Sequence, residues 1–201
     1  MLGISIQSVS GDERRRGAVA EDVGGADDAD LVAAARANPA AFAPLYARYL
    51  QPVYRYCYLR LGERAAAEDA TSEVFLKALA GLPHYRDRSF SGWLFTIAHN
   101  VVTDALRRRR PGVALDASGE PADTEPTPEE AALTAEGQRA LLALLPEDQR
   151  AVVALRLAGL SGTEIARALG RSVGAVKSLQ FRAMTRLRAS LDVEEAHHDH
   201  R

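Results

Sequence analysis

From Ser161 to Arg188 the chain reads SGTEIARALGRSVGAVKSLQFRAMTRLR, which leaves little room for anything but two helices joined by a tight turn. Ser161 with Glu164 three residues on forms a capping box, which satisfies orphan amide donors at a helix start. Ile165, Ala166 and Leu169 give one apolar face, and Gly170 follows as a helix C-cap. Ser172 opens the next helix, where Val173, Val176, Ala183 and Leu187 recur at helical spacing. The other face of that helix carries Lys177, Ser178, Phe181 and Arg182. Helix, turn, and a second helix with a basic and polar face is the helix-turn-helix pattern, whose second helix fits a major groove. An ordinary helical hairpin with a solvated basic face shares the local pattern, because charge runs are often only surface. The rest of the chain must decide.

The chain has 201 residues and a formal net charge of −2, which hides a segregation of charge. Residues 161–191 hold Arg167, Arg171, Lys177, Arg182, Arg186 and Arg188 against Glu164 alone. Between Pro111 and Gln138 stand Asp116, Glu120, Asp123, Glu125, Glu129, Glu130 and Glu136, with no base. Basic patches separated by an acidic connector fit DNA-binding modules on a tether. The single cysteine, Cys57, excludes a disulfide framework and any cysteine-based zinc site, and its helical, tyrosine-rich setting predicts a buried, inert thiol. No apolar run reaches the length of a membrane span and no signal peptide is visible, so the reading is a soluble, cytoplasmic, nucleoid-associated protein without membrane insertion.

Residues 1–28, with the run Arg14-Arg15-Arg16, lack periodicity and read as a disordered N-terminal extension. Asp30 is read as the cap of a helix through Leu31, Val32, Ala34 and Ala35, and Asn38-Pro39 as the start of a second. Pro52 is read as opening a further helix that closes at Gly62. Ala65–Leu82 forms an amphipathic helix with Ala70, Val74, Phe75, Ala78 and Leu79 inward. Glu68, Asp69, Ser72 and Glu73 make its acidic outer edge. The loop HYRDRSFSG leads into an apolar helix, from Trp93 through Leu106, that ends in four arginines, Arg107 to Arg110. An aromatic and basic loop feeding an arginine-ended helix suits single-stranded nucleic acid, where bases stack and cations hold phosphates. Residues 111–128, with four prolines, read as a linker. The His197, His198, Asp199, His200 tail is read as a frayed end rather than a metal site. Nothing reads as a strand. The expected fold is all-α, with two small helical domains at 29–110 and 129–191 joined by a flexible acidic linker, and a flexible tail at 192–201.

Three stretches together resemble one family. AEDATSEVFLKAL is similar to the acidic polymerase-docking helix of bacterial RNA polymerase sigma factors of the extracytoplasmic-function (ECF) group. FSGWLFTIAHNVVTDALRRRR resembles their helix that reads and melts the minus-ten element. LPEDQRAVVALRLAGLSGTEIARALG with VGAVKSLQFRA resembles their minus-thirty-five domain. The resemblance runs from Asp30 to Leu191.

The resemblance implies core RNA polymerase, promoter DNA and an anti-sigma factor as partners, with no cofactor, no metal and no enzymatic activity. It places Asp69, Glu73 and Phe75 in polymerase docking. It places His84, Tyr85, Arg86, Arg88, Phe90, Asn100, Arg107 and Arg108 at the minus-ten element, with Asn100 by the pocket for a flipped base. Arg171, Ser172, Lys177, Ser178, Phe181 and Arg182 fall at the minus-thirty-five element. Trp93 is read as core rather than as a melting wedge. The chain departs from the family pattern at Ser72, where glutamine is usual, at Leu179, commonly basic, and at Gln180, commonly apolar. The competing reading is a helix-turn-helix regulator that acts without polymerase. An enzyme is disfavoured by the lack of a nucleophile–base motif or a phosphate loop, and a purely interacting protein by the arginine-rich and recognition helices.

Overall fold

A computed structural model describes residues 27–86, 89–109 and 134–198, and every regular element among them is helical. The N-terminal extension, Arg88, Arg110 and the linker lie outside the described residues. The first helix, α1 (Asp27–Ala37), begins before the expected Asp30. The acid that matters is Asp28, which is buried and accepts from the Tyr49 hydroxyl and, at 2.5 Å, from Arg48 Nη1. Burial, reinforced by the Asp28 carboxylate, pushes the Tyr49 phenol above its ordinary range. Asn38 then caps a short 3-10 turn (Pro39–Phe42), its Oδ1 accepting from the Ala40 amide at 3.0 Å.

The next helix, α2 (Ala43–Leu61), runs straight through Pro52 instead of starting there. Leu45, Tyr49, Val53 and Tyr56 form one fully buried stripe on either side of the proline. An interior proline costs about 3 kcal/mol, whereas each large buried side chain contributes roughly 1.5–3 kcal/mol. The stripe wins. The helix stops at Gly62, whose φ of +75° suits glycine and whose N–H donates to the Tyr58 carbonyl.

Helix α3 (Arg64–Gly81) packs Ala67, Ala70, Val74, Phe75 and Ala78 inward, while Leu79, expected inside, is partly exposed. Helix α4 (Phe90–Arg108) starts three residues before the expected Trp93, because Ser89 caps it by accepting from the Gly92 amide. At its end Arg109 donates to the Leu61 carbonyl at 3.0 Å and pairs with Glu63 at 2.6 Å, tying α4 back to the end of α2.

The C-terminal helices are α5 (Ala135–Ala143), α6 (Glu147–Leu157), α7 (Gly162–Ala168) and α8 (Val173–His198). Arg150 closes α5 by donating to the carbonyls of Leu142, Ala143 and Leu145. Both halves of the Ser161–Glu164 capping box are formed, and Gly170 takes φ +61° at the turn. Val176, Leu179 and Ala183 are the inward stripe of α8, while Val173, expected on it, is exposed. Leu179 therefore fills the core, and Gln180 sits half-buried at its edge, so the two departures from the family pattern leave the packing intact. The last helix continues to His198, where a frayed tail from 192 was expected.

The flexible linker suggests two bundles that move independently, with bundles that pack on each other as the alternative; the structure packs them face to face. Helix α2 lies against α5 and α6, and α4 lies against α7, with buried residues of both halves in one cluster. The decisive side chain is Arg60, 0 % exposed, which pairs with Glu147 at the start of α6. Its other donor reaches the Tyr56 hydroxyl at 2.8 Å, and that hydroxyl stands 3.1 Å from His99 Nδ1 on α4. Burial, with Arg60 nearby, lowers the His99 pKa to about 4, so the ring is neutral and its Nδ1 pairs with the tyrosine hydroxyl. Cys57 is buried beside this chain, its thiol pushed up to about 12 by burial, and is inert as expected. Tyr56→Phe removes the hydroxyl shared by Arg60 and His99 and leaves both short of a partner. It is expected to lower stability by about 1–3 kcal/mol, read as a lower urea midpoint by circular dichroism; an unchanged midpoint contradicts this role.

Candidate nucleic-acid and polymerase interface

The inward stripe of α8 fixes what its other face can do. With Val176, Leu179 and Ala183 inside, Lys177, Ser178, Phe181 and Arg182 are all turned to water. Phe181 is 73 % exposed, an aromatic ring with no packing duty. Arg182 is steadied by donating to the Ser178 carbonyl at 3.3 Å. The strip therefore combines donors for guanine edges with an apolar face for a thymine methyl. Ser172 is engaged otherwise: its Oγ accepts from the Ala175 amide and caps the helix. Arg171 stands beside it, paired with Asp148 at 2.9 Å on the exposed surface. Such a pair is weak, so a phosphate can replace the carboxylate at small cost.

Between α3 and α4 lies an open pocket of about 400 Å³, lined by Lys77, Gly81, His84, Trp93, Ile97 and Asn100. Trp93 forms its aromatic wall, braced by Tyr85 at 5.0 Å and Phe90 at 5.6 Å between ring centroids. The indole comes close because position 81 is glycine: a Cβ there would sit 3.1 Å from the ring. Asn100 and Lys77 supply hydrogen-bonding heads, with Lys77 Nζ held by Glu73 at 2.7 Å. An aromatic wall with amide and ammonium groups can stack a planar heterocycle and read its polar edge.

Of the residues the sequence assigned to this region, Asn100 and His84 line the pocket, and Tyr85 stands behind Trp93. Phe90 is buried against Tyr49, Tyr85 and Trp93 and serves as its support. Arg86 is exposed, as are Arg107 and Arg108 at the end of α4. The sequence reading missed Lys77, Gly81 and Ile97 as lining residues; Trp93, read as core, is partly buried against the core and lines the pocket as well. The signal was present, since Lys77 and Gly81 lie one turn apart on α3, as Trp93, Ile97 and Asn100 do in succession on α4.

The acidic edge of α3 divides. Asp69 is exposed and has no ion pair among the described residues. Glu73 is half-buried and engaged by Lys77 and, at 4.0 Å, by Arg108. Phe75 is buried against Phe42 and Tyr46, so it holds α3 to the core and presents nothing to a partner. Ser72 donates to the Glu68 carbonyl of its own helix, a bond that glutamine at this position would not make. Leu76, 69 % exposed, and Leu79 add an apolar element beside Asp69 that the acidic pattern concealed.

Two family descriptions match the chain: Sigma-70 region 2 over residues 45–111, and Sigma-70 region 4 over residues 139–187. The ECF RNA polymerase sigma factor ShbA of Streptomyces griseus is 42 % identical over 151 residues, 67 % of this chain and 79 % of that protein. The chain belongs to the ECF RNA polymerase sigma factors. The ECF sigma factor BldN of Streptomyces coelicolor is also 42 % identical, over 171 residues, 79 % of this chain and 63 % of its own length. Among solved structures, CnrH in complex with the cytosolic domain of CnrY superposes with a TM-score of 0.67 at 28 % identity, covering 86 % of this chain and 99 % of that one. The sigma factor RpoE in complex with the anti-sigma factor NepR, from Bartonella quintana, gives 0.61 at 25 % identity, covering 76 % and 97 %.

Membership gives the two surfaces their frame. The region 2 match takes in most of α2 with all of α3 and α4, hence the pocket and the acidic edge. The region 4 match contains the exposed strip of α8. A helix-turn-helix regulator that acts alone would leave the region 2 match without explanation. Replacing Asp69 by Lys, with Glu73 untouched, is expected to weaken association with core polymerase and to reduce its salt dependence, measured by fluorescence anisotropy; unchanged affinity removes Asp69 from the docking face. Arg182→Ala is expected to change which upstream sequences are preferred, because one base contact is worth about 1–3 kcal/mol. A uniform loss on every template would make Arg182 a phosphate anchor instead.

Proposed function

We propose that this sigma factor binds core RNA polymerase through the α3 edge, reads the upstream promoter element with α8, and captures an unstacked base of the downstream element in the α3–α4 pocket. The observation that carries the reading is the pocket itself: an aromatic wall, an amide and an ammonium group on the helix pair that also bears the acidic edge. Taking a base out of the stack costs a few kcal/mol, and a pocket that stacks and hydrogen-bonds it offsets that cost without ATP. In this scheme Trp93 provides the face, Asn100 and Lys77 read the edge, and Arg86, Arg107 and Arg108 hold the displaced strand by its phosphates. Lys177, Ser178, Phe181 and Arg182 read the minus-thirty-five element, with Arg171 on a flanking phosphate. Work at the promoter places the protein on the nucleoid.

The complex of the similar sigma factor RpoE with the anti-sigma factor NepR supports an anti-sigma partner for this chain as well. Run-off transcription with core polymerase tests the whole reading. The wild-type chain is expected to yield discrete starts, and Asn100→Ala to relax the base preference at one downstream position while keeping the upstream preference. Starts that are independent of the added chain would overturn the sigma assignment. An unchanged downstream preference in the Asn100 variant would overturn the pocket.

A further inference from the structure

Glu164 does two things at once. Its Oε2 accepts from the Ser161 amide at 2.9 Å, which is the capping-box contact α7 requires. Its Oε1 reaches across to the other half of the molecule, where it accepts from the hydroxyls of Ser89, at 3.0 Å, and Ser91. Ser89 is likewise divided, because its Oγ caps α4 by accepting from Gly92 while its proton is free for Glu164. One carboxylate thus sits at the N-termini of two helices, α4 and α7, where both dipoles favour negative charge. Arg167 packs alongside, so close to Gly92 that a Cβ there would lie 3.0 Å from its Nη1. Burial raises the Glu164 pKa, but the donors Ser91, Ser161 and Ser89 outweigh it and hold the carboxyl below its ordinary value. Neither helix needs this bridge to be capped. Its effect is to join them.

The consequence follows from size. Promoter elements centred about 25 base pairs apart lie ~85 Å apart at 3.4 Å per base pair. A packed body of roughly 150 residues is only about 40 Å across. The joined form cannot place α8 and the pocket on both elements. The 25 peptide units between Arg109 and Thr134 reach at most about 90 Å, enough once the halves part.

We propose that the Ser89–Ser91–Glu164 contact is an interdomain latch that holds the chain in a closed form unable to read a promoter, and that engagement of polymerase and DNA opens it. The latch rests on the two-site promoter reading given above. The further ties between the halves, Arg60 to Glu147 and Arg55 to Gln138, close with it.

The test uses Ser91→Asp. An acid in the first turn suits α4 by its dipole but sets two carboxylates against each other, so the closed-to-open ratio is expected to fall about tenfold or more. The rescue is Ser91→Asp with Glu164→Gln, since glutamine still serves the capping box and its amide can donate to the new carboxylate. Spin labels on cysteines replacing the exposed Arg64 and Thr185 report the separation in the full chain, with Cys57 buried and unreactive. The wild-type chain is expected to show one short, narrow distance by pulsed EPR. Ser91→Asp is expected to give long, broad distances, and the double variant to return to the short one. At limiting core polymerase, initiation is expected to rise several-fold in Ser91→Asp and to fall back in the double variant. A broad wild-type distribution, no change in Ser91→Asp, or no return in the double variant each overturns the latch. Opening without a change in initiation overturns its control of promoter reading while the distances still report the contact.

Discussion

A guanidinium with no exposure is the point on which the packing turns. Arg60 projects from α2 into the seam between α4 and α6, where partners at Nη1 and Nη2 meet most of its cost of desolvation and the buried Nε has none among the described residues. Glu147 meets the cost from the C-terminal half, and Tyr56 meets it from one turn back on the same helix, with His99 paired to the tyrosine hydroxyl. The chain of bonds explains why a neutral histidine and a buried cysteine lie together in the N-terminal half. It also contributes to two bundles packing as one body: the carboxylate that pairs with the buried Arg60 comes from the C-terminal half, so the pair exists only while the halves lie together.

The same packing leaves the surfaces that matter for recognition free. The apolar stripe of α8 is only three residues wide, and the strip opposite it remains in water. The pocket depends on backbone closeness at Gly81, which lets the Trp93 indole lean over α3. Glu73 sits between Lys77 and Arg108 and so couples the pocket rim to the arginine end of α4. The proposed docking edge is then left with Asp69 and the exposed leucines of the same helix.

The helix-turn-helix was legible because its signals are local: a capping box, a glycine at positive φ, and a 3.6-residue apolar period. The recognition strip followed from that register. What the sequence concealed was long-range. A proline reads as a helix start because its missing N–H is a local fact, whereas the buried stripe that carries α2 through Pro52 is a tertiary one. The start of α1 and the role of Asp28 depend on Tyr49, twenty-one residues away. Trp93 packs against the core as its apolar neighbours suggest, but its second role as the wall of an opening depends on the approach of α3 at Gly81. The face-to-face packing of the halves rests on Arg60, Glu147, Ser91 and Glu164, and no local period marks such polar residues as interfacial.

The two proposed promoter readers, the α8 strip and the α3–α4 pocket, would act at separated sites in one complex. A photo-crosslinking amino acid placed at Phe181, and in a second protein at His84, tests this arrangement directly on a promoter bound with core polymerase. Cross-links from the first are expected to fall in the upstream element and from the second in the downstream element, about 25 base pairs or ~85 Å away. Cross-links from both positions to the same short segment, or none from either, would contradict it.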